Sequence, residues 1–116
     1  ADRAAFIAQA RQALFLSTIV SYAQGLSLIQ HASKAYGYGV QLADVAKIWR
    51  GGCIIRSTFL EDIRAAYSAK PDLCNLLADP KVAEKARACL PGLRAFVRAA
   101  ADMGIPAPGH MASLAY

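Results

Sequence analysis

The sequence predicts an all-α protein, multi-helical, with one long helix as a spine and residues 1–116 forming a single helical domain segment. Alanine, the strongest helix former, supplies roughly a fifth of the chain. Apolar positions recur at spacings of three and four rather than by alternation, as helices with one buried side require. Glycine and proline fall between those runs, where helices must stop and start. No strand pattern, low-complexity tract or internal repeat is evident.

The first helix is expected to open at Asp2, whose carboxylate can accept from the orphan amides of a first turn. It should run to Tyr36, where Gly37 and Gly39 end it. At 1.5 Å per residue its length would be roughly 50 Å. Gly25 lies inside it at a cost of about 1 kcal/mol relative to Ala, which predicts close approach of another helix there. A second helix is expected over 42–50, loosened or broken by Gly51-Gly52. The third should span 54–69 and end before Lys70-Pro71, because a residue preceding proline avoids the helical region. A short turn over 73–77 follows. The last long helix is expected over 80–103, with Pro80 in its first turn and Gly104 just past its end. Pro91 removes one backbone donor midway and should kink that helix or split it. A final helix starts near Pro108 and reaches Tyr116. Trp49, Ile54, Ile55 and Phe59 are expected to be buried around Gly51-Gly52, where missing side chains would let helices meet.

Composition narrows the classes. Hydrophobic residues make up 56% of 116, high for a free-standing soluble domain, which predicts apolar surface covered by something else. There is no initiator Met, and the chain ends on an uncharged run from Pro106, so it is expected to be an excerpt of a larger polypeptide. The net charge is +5, but the thirteen Lys and Arg residues are scattered rather than blocked. A solvated basic surface explains them better than a DNA partner or an anionic substrate. Cys53, Cys74 and Cys89 are odd in number and form no CxxC pair, which favours a reducing, cytoplasmic setting. No signal peptide is recognisable. Residues 12–33 carry no formal charge and could span a bilayer, which takes about 20 residues. Ser17, Ser21, Gln24 and His31 nevertheless recur along one face, with Thr18, Ser27 and Gln30 adding polar groups. Such a face is costly in lipid, so no membrane partner is expected.

Few residues form a chemical constellation. His31 and Cys53 are a conceivable nucleophile–base pair, but their spacing does not support it, and packing explains a buried Cys better. The two histidines and three cysteines lack metal-ligand spacings. Gly51-Gly52 lacks the preceding strand and the spacing of a phosphate-cradling loop. Glu61-Asp62 reads as a solvated face with Arg64 nearby. No catalytic, cofactor-binding, substrate-binding or metal residue is therefore assigned.

The densest signal is KIWRGGCIIRS at 47–57, with Trp49, Arg50, Gly51, Gly52, Cys53 and Arg56 as its distinctive residues. Arg50 and Arg56 flank an apolar core and can be read as anion or inter-domain contacts. The plainer reading, arginines at helix ends favoured by the helix dipole, outweighs it. Helix, glycine turn and a helix opening with Arg56, Ser57 and Thr58 would also suit a DNA-binding helix-turn-helix. That helix start is strongly apolar, however, and Glu61 with Asp62 would repel a phosphate backbone.

KIWRGGCIIRS, together with IVSYAQG at 19–25, NLLAD at 75–79, GIPAP at 104–108 and the terminal SLAY, resembles the all-helical C-terminal domain of decarboxylating 6-phosphogluconate dehydrogenases. The order and approximate spacings match from about residue 13 onward, and KIWRGGCIIRS is the most specific segment. The resemblance implies a parent with an N-terminal nucleotide-binding domain and a C-terminal tail, neither of them in this chain. It implies an NADP-linked, dimeric, cytoplasmic enzyme that oxidises 6-phosphogluconate and decarboxylates it to ribulose 5-phosphate. The family's fingerprint, catalytic and substrate motifs lie outside the matching region, so this segment is expected to bind no cofactor and to serve as scaffold and dimer interface. Pro91-Gly92 departs from the uninterrupted helix expected there. The alternatives are a helix-turn-helix DNA-binding domain and a non-enzymatic helical interaction module.

Overall fold

A computed structural model describes residues 2–116. It contains five α-helices: α1 (Arg3–Tyr36), α2 (Leu42–Gly52), α3 (Phe59–Ala69), α4 (Pro80–Asp102) and α5 (Pro108–Ala115), with a 3₁₀ turn at Leu76–Ala78. No strand occurs among the described residues. The all-α expectation holds.

Local chemistry sets most boundaries. Asp2 caps α1, its carboxylate accepting from the Ala4 amide at 2.9 Å and its carbonyl from the Phe6 amide at 3.0 Å. At the other end Gly37 takes φ +68°, a left-handed conformation, and the Tyr38 amide reaches back to the Ser33 carbonyl at 3.0 Å. The Ser33 hydroxyl accepts from the Val40 amide at 2.8 Å, which fixes the exit of the chain. Asp79 caps α4 by accepting from the Lys81 and Val82 amides, both at 3.0 Å, with Pro80 as the first helical residue. Gly104 (φ +64°) closes α4 as Gly37 closes α1, with the Ile105 amide on the Ala100 carbonyl at 2.8 Å.

The chain forms two compact units. One gathers residues up to Tyr22 with Ala83–Tyr116, and its buried residues include Leu16, Ile19, Val20 and Leu93. There Phe6 stacks on Phe96 at a centroid distance of 5.8 Å. The other unit is Ala23–Val82, built on Leu26, Phe59, Leu60, Ile63, Tyr67 and Leu76. Side chains of this size contribute about 1.5–3 kcal/mol each when fully buried. In this unit α2 packs on α3, and the buried Gln30 amide donates to the Leu73 carbonyl at 3.2 Å.

Four expectations need correction. First, α2 continues through Gly51 and Gly52, and Cys53 closes it with its amide on the Trp49 carbonyl at 3.1 Å. Second, α3 begins at Phe59, not at position 54, because the Ser57 hydroxyl accepts from the Phe59 amide at 3.2 Å and starts the helix there. Ile54 and Ile55 therefore lie in a loop, 99% and 41% exposed, while Phe59 is buried and Trp49 is half-buried. Third, a β-carbon added at Gly25, Gly51 or Gly52 would meet nothing within 4 Å, so none of these marks a close approach. Gly92 does, since its face lies against the Gln12 side chain. Fourth, Pro91 does not split α4, which is one helix from Pro80 to Asp102.

The face of α1 expected to be polar is mixed. Ser21, Gln24 and His31 are exposed, but so are Ile7, Leu14 and Leu28, at 50%, 64% and 70%. By length and composition α1 could cross a membrane, and 33% of its most apolar window is buried inside the fold.

Candidate functional site

The signature segment lies in the second unit, at the end of α2, the loop 53–58 and the start of α3. Packing of α2 on α3 sets Arg50, in the last turn of one helix, against Glu61, in the first turn of the other. Arg50 Nε stands 3.3 Å from one Glu61 oxygen, and Arg64 Nη2 stands 3.0 Å from the second. Glu61 thus braces two helices, a role its sequence reading as a plain surface charge missed. The Arg50–Glu61 side chains are 41% and 44% exposed, so the pair contributes at most about 1 kcal/mol.

Arg56 turns back onto α2. Its Nε donates to the Arg50 carbonyl at 3.3 Å and its Nη2 to the Gly51 carbonyl at 3.4 Å. These carbonyls belong to the last turn of a helix, which lacks intrahelical donors and favours positive charge. Arg50 Nη1 in turn donates to the Ser57 carbonyl at 3.4 Å. Both arginines therefore stand at a helix C-terminus, and both are spent in part on backbone carbonyls. Arg50, Arg56, Ser57 and Thr58 line one open cleft.

Placement of Arg56, Ser57 and Thr58 ahead of α3 removes the recognition-helix start that a helix-turn-helix reading requires. The first turn of α3 instead carries Glu61 and Asp62. Trp49, Arg50, Gly51, Gly52, Cys53 and Arg56 do come together, as the closing turn of α2 and its cap. Their grouping forms a helix terminus.

Other polar groups are locally occupied. His31 Nδ1 lies 2.7 Å from the Ser27 carbonyl on its own helix, and the Cys53 amide closes α2, so each serves helix structure. Gln30, Ser33 and Tyr67 line a pocket of the second unit, with Gln30 and Ser33 already bonded to backbone. In the first unit Ser17 Oγ and His110 Nδ1 are 2.8 Å apart, with the His110 ring edge-on to Phe96 at 4.9 Å. Sequence inspection missed this pair, because 93 positions separate its members and no local pattern links them. Cys53, Cys74 and Cys89 are free thiols, and burial raises the Cys89 thiol above its ordinary range. No group of three or more potential metal ligands occurs among the described residues.

The described residues thus form an all-helical segment whose arginine signature closes a helix terminus. The family model for the 6-phosphogluconate dehydrogenase C-terminal domain matches residues 1–116. Among curated proteins, the decarboxylating 6-phosphogluconate dehydrogenase of Synechococcus elongatus is 47% identical over 99% of this chain and 24% of its own length. That of Candida albicans is 46% identical over 99% of this chain and 22% of its own length. The solved 6-phosphogluconate dehydrogenase of Plasmodium falciparum, studied with its cofactor NADP+ and its substrate 6-phosphogluconate, superimposes with a TM-score of 0.96 at 39% identity. That match covers 100% of this chain and 25% of the other. The chain belongs to the 6-phosphogluconate dehydrogenase family and corresponds to part of its C-terminal domain. It spans about a quarter of the length of the relatives it matches.

Proposed function

We propose that the chain is a scaffold and dimerisation segment of an NADP-dependent enzyme that converts 6-phosphogluconate to ribulose 5-phosphate by oxidative decarboxylation. The observation that carries this reading is the 0.96 superposition, over the whole chain, on an enzyme solved with NADP+ and 6-phosphogluconate. The segment itself supplies no catalytic, substrate-binding or cofactor-binding group. Gly51 and Gly52 are helical residues of α2 rather than a loop whose amides could hold a pyrophosphate, which supports a seat for NADP elsewhere in the parent. The nicotinamide nucleotide would bring the hydride-accepting chemistry, and the rest of the parent would hold it.

The parent acts as a homodimer in the cytoplasm, without nucleic acid or membrane partners. Exposed Ile7, Leu14 and Leu28 on α1 support a covered face, and three free thiols support a reducing compartment. Fluorescent tagging of the parent tests the location, which matters because a related enzyme of Spinacia oleracea carries a chloroplastic name.

The deciding assay is NADP reduction with 6-phosphogluconate, run on the purified parent polypeptide and on the isolated chain. The parent should turn over and the chain should not. An inert parent would overturn the enzyme assignment. Turnover by the isolated chain, abolished by substituting one of its own residues, would overturn the scaffold reading.

A further inference from the structure

We propose that the loop 53–58 is a docking element for an acidic, apolar-faced segment of the same parent polypeptide, outside residues 1–116. The proposal rests on the reading of this chain as part of a larger dehydrogenase. Ile54 is 99% exposed, and Ile55 beside it is 41% exposed. The loop that carries them is held at both ends. Cys53 is bonded to Trp49, Arg56 to the Arg50 and Gly51 carbonyls, and Ser57 to the Phe59 amide. A large aliphatic side chain held out on a fastened loop loses little conformational freedom on being covered, so binding it is favourable.

Charge identifies what comes with the cover. Arg50, Arg56 and the hydroxyl-bearing Ser57 and Thr58 line the adjoining cleft. Three guanidinium groups stand in this region, and Glu61 already answers two of them, Arg50 and Arg64. Arg56 meets carbonyl oxygens only, at 3.3 and 3.4 Å, which leaves its charge without an ionic counterpart among its hydrogen bonds. A guanidinium matches a carboxylate in two-pronged geometry. A free inorganic anion would leave Ile54 uncovered. A nucleic acid backbone would do so too and would face Glu61 and Asp62. A peptide segment carrying Asp or Glu next to an apolar side chain satisfies both features. The parent chain is its source, because the relatives are about four times as long as this chain and a tethered segment acts at high effective concentration.

The test places a photo-crosslinking residue at position 54 of the full parent polypeptide, with NADP-dependent turnover recorded on the same preparation. The expected product is an internal crosslink at monomer mass, mapping outside residues 1–116 to a peptide with Asp or Glu beside an apolar residue. Arg56→Gln should weaken that crosslink several-fold, whereas Arg64→Gln should leave it. An active parent that gives no crosslink, a crosslink at dimer mass, a target without a carboxylate, or no response to Arg56→Gln overturns the docking proposal alone. A parent without turnover overturns the enzyme reading instead.

Discussion

The side chain of Gln12 lies so close to Gly92 that a β-carbon at position 92 would fall 2.6 Å from the Gln12 Cβ. The obstacle includes the root of that side chain and not only its flexible end, so rotation alone cannot clear it. Gly92 therefore lets α4 run past α1 within the first unit. Gly92→Ala should destabilise the protein by about 1–3 kcal/mol, as overpacking does, despite the better helix propensity of Ala. Equilibrium denaturation reads the change. An unaltered or improved midpoint would show that Gln12 moves aside at no cost.

Gly25 and Gly52 are the contrasting cases. Neither has a neighbour within 4 Å of an added β-carbon, and neither adopts positive φ. Gly25→Ala, inside α1, should stabilise by about 0.5–1 kcal/mol through lower unfolded-state freedom and better propensity. Gly52→Leu should shift stability by no more than about 0.5 kcal/mol, where a packing role would have made it costly. A loss well beyond that in either variant would mean that a partner surface closes over the glycine.

Gln30 is buried and donates to the Leu73 carbonyl at 3.2 Å, tying α1 to the turn ahead of Leu76–Ala78. Gln30→Leu keeps the volume and removes the donor. The unsatisfied carbonyl should cost about 1–3 kcal/mol. Faster amide exchange confined to residues 73–78 would be the local signature. A variant with native stability would imply that water replaces the amide.

Helix ends were legible wherever a single residue decides them. Asp2, Gly37, Pro80, Gly104 and Pro108 stand at or beside helix ends, because capping and left-handed closure are local events. The start of α3 was not legible, since Ile54 and Ile55 mimic the apolar run of a helix while Ser57, whose hydroxyl accepts from the Phe59 amide, and the N-cap residue Thr58 come after them. Which glycine meets a neighbour was hidden too. Gly25 and Gly92 look alike in a helix, and only packing against Gln12 separates them. The arginines of the signature were half legible: Arg50 at a C-terminus follows from the dipole, whereas the backward reach of Arg56 depends on the loop's path. Ser17 and His110, far apart in sequence, could be paired only by the fold.

The three thiols should react in an order set by exposure and ionisation. Cys74 is exposed, Cys53 and Cys89 are partly covered, and burial raises the Cys89 thiol. Alkylation under native conditions should label Cys74 first and Cys89 last. The native state holds the Cys89 proton more tightly than the unfolded chain does. The linked stabilisation is therefore complete below the unfolded thiol's range and disappears as pH rises through the higher folded value. Cys89→Ala should flatten the alkaline decline in stability. An unchanged pH profile in that variant would assign the decline to other groups.

Pro91 sits inside a helix that nevertheless runs from Pro80 to Asp102. Having no amide hydrogen, it leaves the Arg87 carbonyl without the donor that an α-helix normally supplies four residues on. The ladder of α4 is thus missing a rung at a fixed place. Opening at that turn has one hydrogen bond fewer to break, so the two halves of α4 are coupled less tightly there than a continuous ladder would couple them.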